Sequence, residues 1–159
     1  MYDILLKMLL DLDGVQQNPE FHPEGDALYH SLQVFEIAAK STEDPELLMT
    51  ALLHDVGKAL DSTHHAEIGA HMLSEVASER VSWLVHHHLD LLKTPKQTRQ
   101  RFANTSQLAD LEALRRWDLA GRARKVWVPT PHDAVATLMN LFFHQGLQTE
   151  LFPEYGVDY

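Results

Sequence analysis

The fold is decided by one stretch of this chain, Ala51–Leu52–Leu53–His54–Asp55–Val56–Gly57–Lys58. An apolar run leads into two adjacent polar residues, His54 and Asp55, and Gly57 then weakens the helix that the run predicts. Neighbouring side chains of a helix point about 100° apart, so this pair can share one ion only at the seam between two faces. Imidazole and carboxylate suit the same divalent metals. Taken alone, the pair fits a polar helix end equally well.

The remaining sequence has the apolar spacing of helices almost throughout, with little strand-like alternation. We therefore predict an all-α, compact single-domain helical bundle of about six or seven helices, spanning residues 1–159. Capping residues support several helix starts, such as Asp44 before Pro45 and Thr130 before Pro131. The stretch 93–105 is predicted to be a polar connection with a short helix. The predicted helices cover residues 2–12, 27–40, 45–60, 65–77, 80–89, 106–124 and 132–145, the last within a C-terminal segment 131–146.

Composition limits the classes of function that are open to the chain. It contains no Cys, which excludes disulfides, thiolate zinc sites and cysteine nucleophiles. Its 11 histidines mean that any transition metal would be held by imidazole and carboxylate, ligands that suit Mn, Fe, Co, Ni or Zn. Asp3 and Lys7 interrupt the first apolar segment too early for a signal peptide, and no run is long enough to cross a bilayer. We therefore expect a cytoplasmic protein without a membrane partner.

Charge is distributed unevenly along the sequence. The formal net charge of −10 argues against broad binding to nucleic-acid backbone and against binding in DNA grooves. Most of the basic residues nevertheless lie between Lys93 and Lys125, where few acidic residues offset them. This segment is either a set of solvated helix faces or a surface that contacts phosphate or RNA.

Two further polar residues lie in apolar helical surroundings. A lone imidazole such as that of His30 fits a hydrogen-bonded core residue. The carboxylate of Asp118 needs a partner if it is buried, and either a metal ion or an arginine one helical turn away would provide one. One bound metal would account for all the polar residues of this kind: His30, His54, Asp55 and Asp118.

Five segments in this order resemble a known family. The order His, then His-Asp, then Asp is the signature of the HD superfamily of metal-dependent phosphohydrolases. The closer resemblance is to the HD domain of bacterial CCA-adding tRNA nucleotidyltransferases, and it covers about residues 10–125. The nucleotidyltransferase head of that family is absent from the 159 residues, so we expect the HD module alone. The similar segments are residues 16–32, which include His22-Pro-Glu-Gly-Asp26, and residues 51–58, 65–70, 83–89 and 114–122.

The resemblance implies two sets of metal ligands. The first set is His30, His54, Asp55 and Asp118. A second ion would be held by His65 and by His87 or His88, with Asp55 bridging the two ions, and His88 fits the spacing best. Three consecutive histidines cover nearly a full helical turn, so His86, His87 and His88 cannot all face one site. The cofactor implied is one or two divalent transition-metal ions (Mn, Fe, Ni, Co or Zn), with Mg less favoured.

The implied reaction is hydrolysis of a phosphate ester on a nucleotide or an RNA end, by a 2′,3′-cyclic phosphodiesterase or a 2′- or 3′-phosphomonoesterase. Asp55 is expected to be catalytic by holding the metal that activates water. Lys58 and Arg122 are candidates for contacts with phosphate oxygens, although Lys58 equally fits a lysine that caps helix carbonyls. His22 and Glu24–Asp26 are expected either to rim the pocket or to fix their loop, and fixing the loop is favoured.

Two alternatives for the function stay open. One is a 5′-nucleotidase or another nucleotide phosphohydrolase, and the other is a non-catalytic HD module that binds RNA or a partner. Apolar residues of the last helix, among them Leu138, Phe142 and Phe143, are predicted to be core or dimer surface, so a homodimer through this helix is a further expectation.

Overall fold

Helices account for the regular structure of the computed structural model, which describes residues 1–146. The described part of the chain forms no strand, only an isolated bridge between Gln16 and Asp26. The predicted all-α fold is therefore confirmed, while positions 147–159 of the predicted domain lie outside the described residues. The helices are α1 (Tyr2–Leu10), α2 (Ala27–Ala39), α3 (Pro45–Leu53), α4 (His65–Leu73), α5 (Glu79–His87), α6 (Asp90–Lys93), α7 (Pro95–Arg101), α8 (Ser106–Ala120) and α9 (Pro131–His144).

Side-chain caps explain where many of these helices begin. A side-chain oxygen just before the first turn accepts an otherwise unpaired backbone N–H. Such caps are made by Asp26, Asp44, Ser78, Thr105 and Thr130. Pro45 and Pro131 follow two of them in the first turn, where a missing N–H costs nothing. At the other end of α9, Gly146 adopts a positive φ of 70°, which only glycine adopts readily.

The main core lies where α1, α2, α3 and α9 pack together. Leu5 and Leu9 of α1 meet Leu138 and Phe142 of α9, and all four side chains are almost fully buried. Leu138 and Phe142, predicted to be core or dimer surface, are therefore core residues, whereas Phe143 is exposed. No helix within residues 1–146 has both the length and the apolar character that crossing a bilayer requires.

Helix α3 is shorter than predicted. Residues 45–60 were predicted to form one helix, but α3 ends at Leu53 and a 3-10 turn follows over Val56–Ala59. The cause is the close approach of Gly57 to α4, where a Cβ atom would lie 2.1 Å from the carbonyl oxygen of His65. His54 keeps helical dihedral angles (φ −59°, ψ −27°), whereas Asp55 departs from them (φ −103°, ψ 7°), and both side chains enter the same cluster.

The connection at 93–105 contains the short helix that was predicted for it, α7, and a further short helix, α6, ends at its first residue. These two helices raise the number of helices above the predicted six or seven. They pack on α8 around Leu91, Phe102 and Leu111, which form a small second core with Leu84 of α5. This second core supports the C-terminal end of α5, where one of the predicted metal ligands lies.

We expect Gly57→Ala to destabilise the protein by about 3 kcal/mol, because the added methyl group would collide with the backbone of α4 rather than with a movable side chain. The measurement is chemical denaturation. Gly69→Ala is the matched control, since its Cβ would meet a movable Val85 methyl group at 3.2 Å and the backbone nitrogen of Gly57 at an ordinary contact distance of 3.4 Å, and the gain in helix propensity offsets these contacts. Equal effects of the two substitutions would contradict this account of the turn.

Candidate metal centre

One buried cluster brings together every predicted metal ligand except His87. Each of its residues is at most 7 % exposed. α2, α4 and α8 contribute one residue each, and the ends of α3 and α5 contribute the rest. The cluster consists of His30, His54, Asp55, His65, His88 and Asp118.

Backbone carbonyls fix the orientation of the four imidazoles. A carbonyl oxygen can only accept a hydrogen bond, so the ring nitrogen that faces it carries the proton. In three of the rings Nδ1 donates to the carbonyl of the residue three positions earlier. These bonds run from His54 to Ala51 (2.9 Å), from His65 to Ser62 (2.8 Å) and from His88 to Val85 (2.6 Å). Nδ1 of His30 faces the carbonyl of Gly121 at 2.8 Å. Every Nε2 atom is therefore directed towards the carboxylates.

The first group of possible ligands surrounds one oxygen of Asp55. Its Oδ2 atom lies 3.4 Å from His54 Nε2 and 3.8 Å from His30 Nε2. Asp118 Oδ1 is 2.9 Å from the same His30 nitrogen and 3.8 Å from that of His54. His54 Nε2 is buried and has no hydrogen-bond partner among residues 1–146. A buried ring nitrogen with an unused lone pair between two carboxylates is the environment that a cation suits.

The second group surrounds the other oxygen of Asp55. Oδ1 lies 3.2 Å from His65 Nε2 and 3.5 Å from His88 Nε2, and these two nitrogens are 3.2 Å apart. Two neutral rings in this arrangement would direct lone pairs at each other, so a proton or a cation has to lie between them. The donor set of imidazoles and carboxylates fits one or two divalent transition-metal ions, with Asp55 common to both groups.

The pKa values of several cluster residues are shifted by the neighbouring charged groups. Burial opposes protonation of His30, but hydrogen bonds to Asp118 and Glu24 and the charge of Asp55 raise its pKa to about 9. Burial also favours the neutral form of Asp55, yet the charges of His54 and Lys58 hold its pKa well below the usual range. Burial likewise favours the neutral form of Asp118, but the hydrogen bond from His30 holds its pKa well below the usual range. The cluster therefore holds anionic carboxylates that require positive charge beside them.

A cavity of about 440 Å³ opens onto the cluster and carries basic side chains. Lys58 Nζ donates to Asp55 Oδ2 at 2.8 Å and to Gln17 at 2.6 Å, so it binds the acid rather than capping helix carbonyls. Asp118 is an ion-pair partner of Arg115 at 3.3 Å and of Arg122 at 3.7 Å. The arginine that was one account of a buried Asp118 is therefore present, and the metal ion stays a prediction.

The three consecutive histidines take different positions, as their helical geometry requires. His88 is buried in the cluster, and His86 is exposed. His87 is turned away: its Nδ1 atom lies 2.6 Å from Asp90, and its ring packs against Trp83 with centroids 4.3 Å apart. Of the two residues between which the sequence left the choice, the structure brings only His88 to the cluster.

Glu24 makes contacts that the sequence analysis did not anticipate. It was expected to fix its loop, but its side chain is fully buried and its Oε1 atom accepts from Nδ1 of His22 at 2.8 Å and faces Nδ1 of His30 at 3.0 Å. A carboxylate behind the ring nitrogen that faces away from a metal orients the ring and increases its basicity. The only signal in the sequence was its position six residues before His30, in the loop that precedes α2.

Comparison with known proteins gives a family model and curated relatives. The model described as HD domain matches residues 27–122, more than half of the chain. Over 89 residues the chain is 38 % identical to the Multifunctional CCA protein of Acinetobacter baumannii (strain AYE), covering 56 % of this chain and 20 % of that protein. Over 49 residues it is 51 % identical to the Multifunctional CCA protein of Methylococcus capsulatus, covering 31 % and 12 %. The chain thus spans about a fifth of the length of the first relative.

We expect His88→Ala to weaken binding of a second Mn²⁺ ion, because Nε2 of His88 faces Asp55. Loss of a residue that only hydrogen-bonds to a metal ligand weakens binding about 10–100-fold, and loss of a ligand should weaken it more. Isothermal titration calorimetry gives the affinity and the stoichiometry. His87→Ala is the matched control and should leave both unchanged, since its ring bonds to Asp90. The opposite pattern would identify His87 as the ligand.

Glu24→Gln should lower the affinity of the site around His30 for Mn²⁺ about tenfold, because the neutral amide polarises the imidazole less than the carboxylate does. His22→Gln is the control, since it leaves the contact between Glu24 and His30 in place. Thermal unfolding of the metal-free variants checks that both fold. A Glu24→Gln protein that binds metal like the parent would show that the carboxylate only fixes the loop.

Proposed function

Because the chain belongs to the HD domain family of metal-dependent phosphohydrolases, we propose that it hydrolyses phosphate esters at the ends of RNA or on nucleotides. The ester classes proposed are 2′,3′-cyclic phosphates and 2′- or 3′-monophosphates. The observation that carries the proposal is Asp55, whose two oxygens face separate pairs of histidines in the wall of a basic cavity. This arrangement suits the stabilisation of charge on a phosphoryl group.

The proposed ligands form two sets that share one residue. The first set is His30, His54, Asp55 and Asp118, and the second is Asp55, His65 and His88. When bound, one or two ions of Mn, Fe, Co, Ni or Zn supply Lewis acidity that lowers the pKa of water and neutralises phosphoryl charge. Asp55 is the proposed catalytic residue because it is common to both sets.

The basic side chains have separate proposed roles. Lys58 holds Asp55 in its ionised form through the 2.8 Å bond to Oδ2, and its ammonium group also lines the cavity. Arg122 and Arg115 line the cavity beside Asp118, where guanidinium groups can bind phosphate oxygens. Arg115 is an addition to the residues that the sequence indicated for this role.

The choice of an RNA end as the substrate rests on two supports. The relatives carry the name Multifunctional CCA protein, which refers to the CCA sequence. The cavity beside the cluster is lined by basic residues although the protein as a whole is acidic, which concentrates positive potential where a phosphate would bind. The cytoplasmic location and the homodimer stay predictions.

We expect the purified protein, with Mn²⁺, Ni²⁺ or Co²⁺ added, to release product from 2′,3′-cyclic AMP and 3′-AMP faster than phosphate from 5′-AMP. Asp55→Ala should lower this rate at least about a hundredfold, because one residue is lost from both ligand sets. Released phosphate and the nucleotide products are measured by colorimetry and chromatography.

His87→Ala serves as the matched control, since it changes a neighbouring histidine outside the cluster. Cleavage of 5′-AMP alone would support the nucleotidase alternative and reject the proposed ester class. Absence of turnover with every metal, together with an Asp55→Ala protein that binds metal like the parent, would support the non-catalytic module.

A further inference from the structure

The cavity beside the cluster has more room than a phosphate group requires. Its volume is about 440 Å³, within the range of about 300–1,000 Å³ that is usual for sites that bind small organic molecules. The cluster occupies only one part of its wall. The cavity is therefore large enough for an organic group attached to the phosphate.

Part of the cavity wall beside the cluster is apolar. Phe21 lines it with a side chain that is 57 % exposed, and Leu92 lines it with 54 % exposed. Leu89 adds a half-buried side chain to the same cavity. An aromatic ring and two leucines next to a cluster of charges offer nothing to a phosphate, but they suit a flat apolar group joined to it.

The backbone holds Phe21 in a fixed position beside the charged groups. Its N–H donates to the carbonyl of Asn18 at 3.1 Å, and its own carbonyl accepts from Arg122 Nη1 at 2.9 Å. The other terminal nitrogen of Arg122 lies 3.7 Å from Asp118. The same arginine thus contacts both the backbone of Phe21 and a residue of the cluster. Because the backbone is held in this way, binding of a ligand would have to order only the side-chain rotamer of Phe21.

We propose that Phe21 is the platform of a nucleoside subsite, on which a base of the substrate stacks while its phosphate lies at the cluster. Leu89 and Leu92 line the same cavity and offer further apolar contacts to the base. Stacking tolerates any base because every base has a π-face, so adenine and uracil substrates should both use the subsite. The inference rests on the proposed function, to which it adds the part of the substrate that is recognised.

The test compares esters that have a base with one that has none. Phe21→Ala should raise KM for 3′-AMP about tenfold, within the range of the loss on removing a stacking partner, with kcat unchanged because the ring does not touch the reacting atoms. KM for glycerol 2-phosphate should not change. Phe21→Trp should restore the parental KM. Trp127→Ala is the matched control, because this exposed indole lies outside the cavity and should have no effect.

A second arm measures binding without turnover. Adenosine binding to the metal-free protein, followed by equilibrium dialysis, should weaken about tenfold in Phe21→Ala and stay unchanged in Trp127→Ala. Equal adenosine binding by the parent and Phe21→Ala would overturn the subsite even if the enzyme is active. Conversely, a chain that binds adenosine through Phe21 but hydrolyses no ester would support the subsite and reject the proposed function.

Discussion

The rest of the structure depends on the burial of one carboxylate, that of Asp55. A buried anion is costly unless charges and hydrogen bonds replace the water that it loses. Here Lys58 binds Oδ2, and imidazoles from separate parts of the chain approach both oxygens. The helices that carry those rings have to meet at this point, so the arrangement of the bundle and the geometry of the candidate site are consequences of the same requirement.

The same local hydrogen bond, from Nδ1 to a nearby backbone carbonyl, orients three of the histidines. His54, His65 and His88 each bond Nδ1 to the carbonyl three residues earlier. The carbonyls of Ala51 and Val85 lie in the last turns of α3 and α5, and that of Ser62 lies just before α4. In each case the bond sets the ring tautomer and directs Nε2 towards the buried acid, and Glu24 adds a comparable contact for His30.

The side chains around the cluster line the cavity in which a substrate would bind. Basic side chains that pair with Asp55 and Asp118 also line the cavity, so the charges that make buried carboxylates tolerable are available to a phosphate. Arg122 joins this charged part to the loop that carries Phe21. Recognition of the phosphate and of the organic group would thus depend on one connected set of contacts.

The differences between expectation and structure have specific physical causes. Helical spacing is a local property, so the ends of α2 and α9 agreed with prediction to within about two residues. The end of α3 did not, because Gly57 approaches the backbone of a different helix. The choice between His87 and His88 depended on the rotation of α5, which is set by its contacts with neighbouring helices and not by its own spacing.

The sequence by itself determined the helical fold, through apolar periodicity, and the residue types and order of the candidate ligands, through the segments that resemble the HD family. Only the tertiary structure decided which histidines converge, how Asp55 presents one oxygen to each pair, and that Glu24 and Phe21 lie beside them. These features depend on contacts between residues far apart in the chain. Periodicity records which face of each helix is buried, but it contains no information about which other helix that face meets.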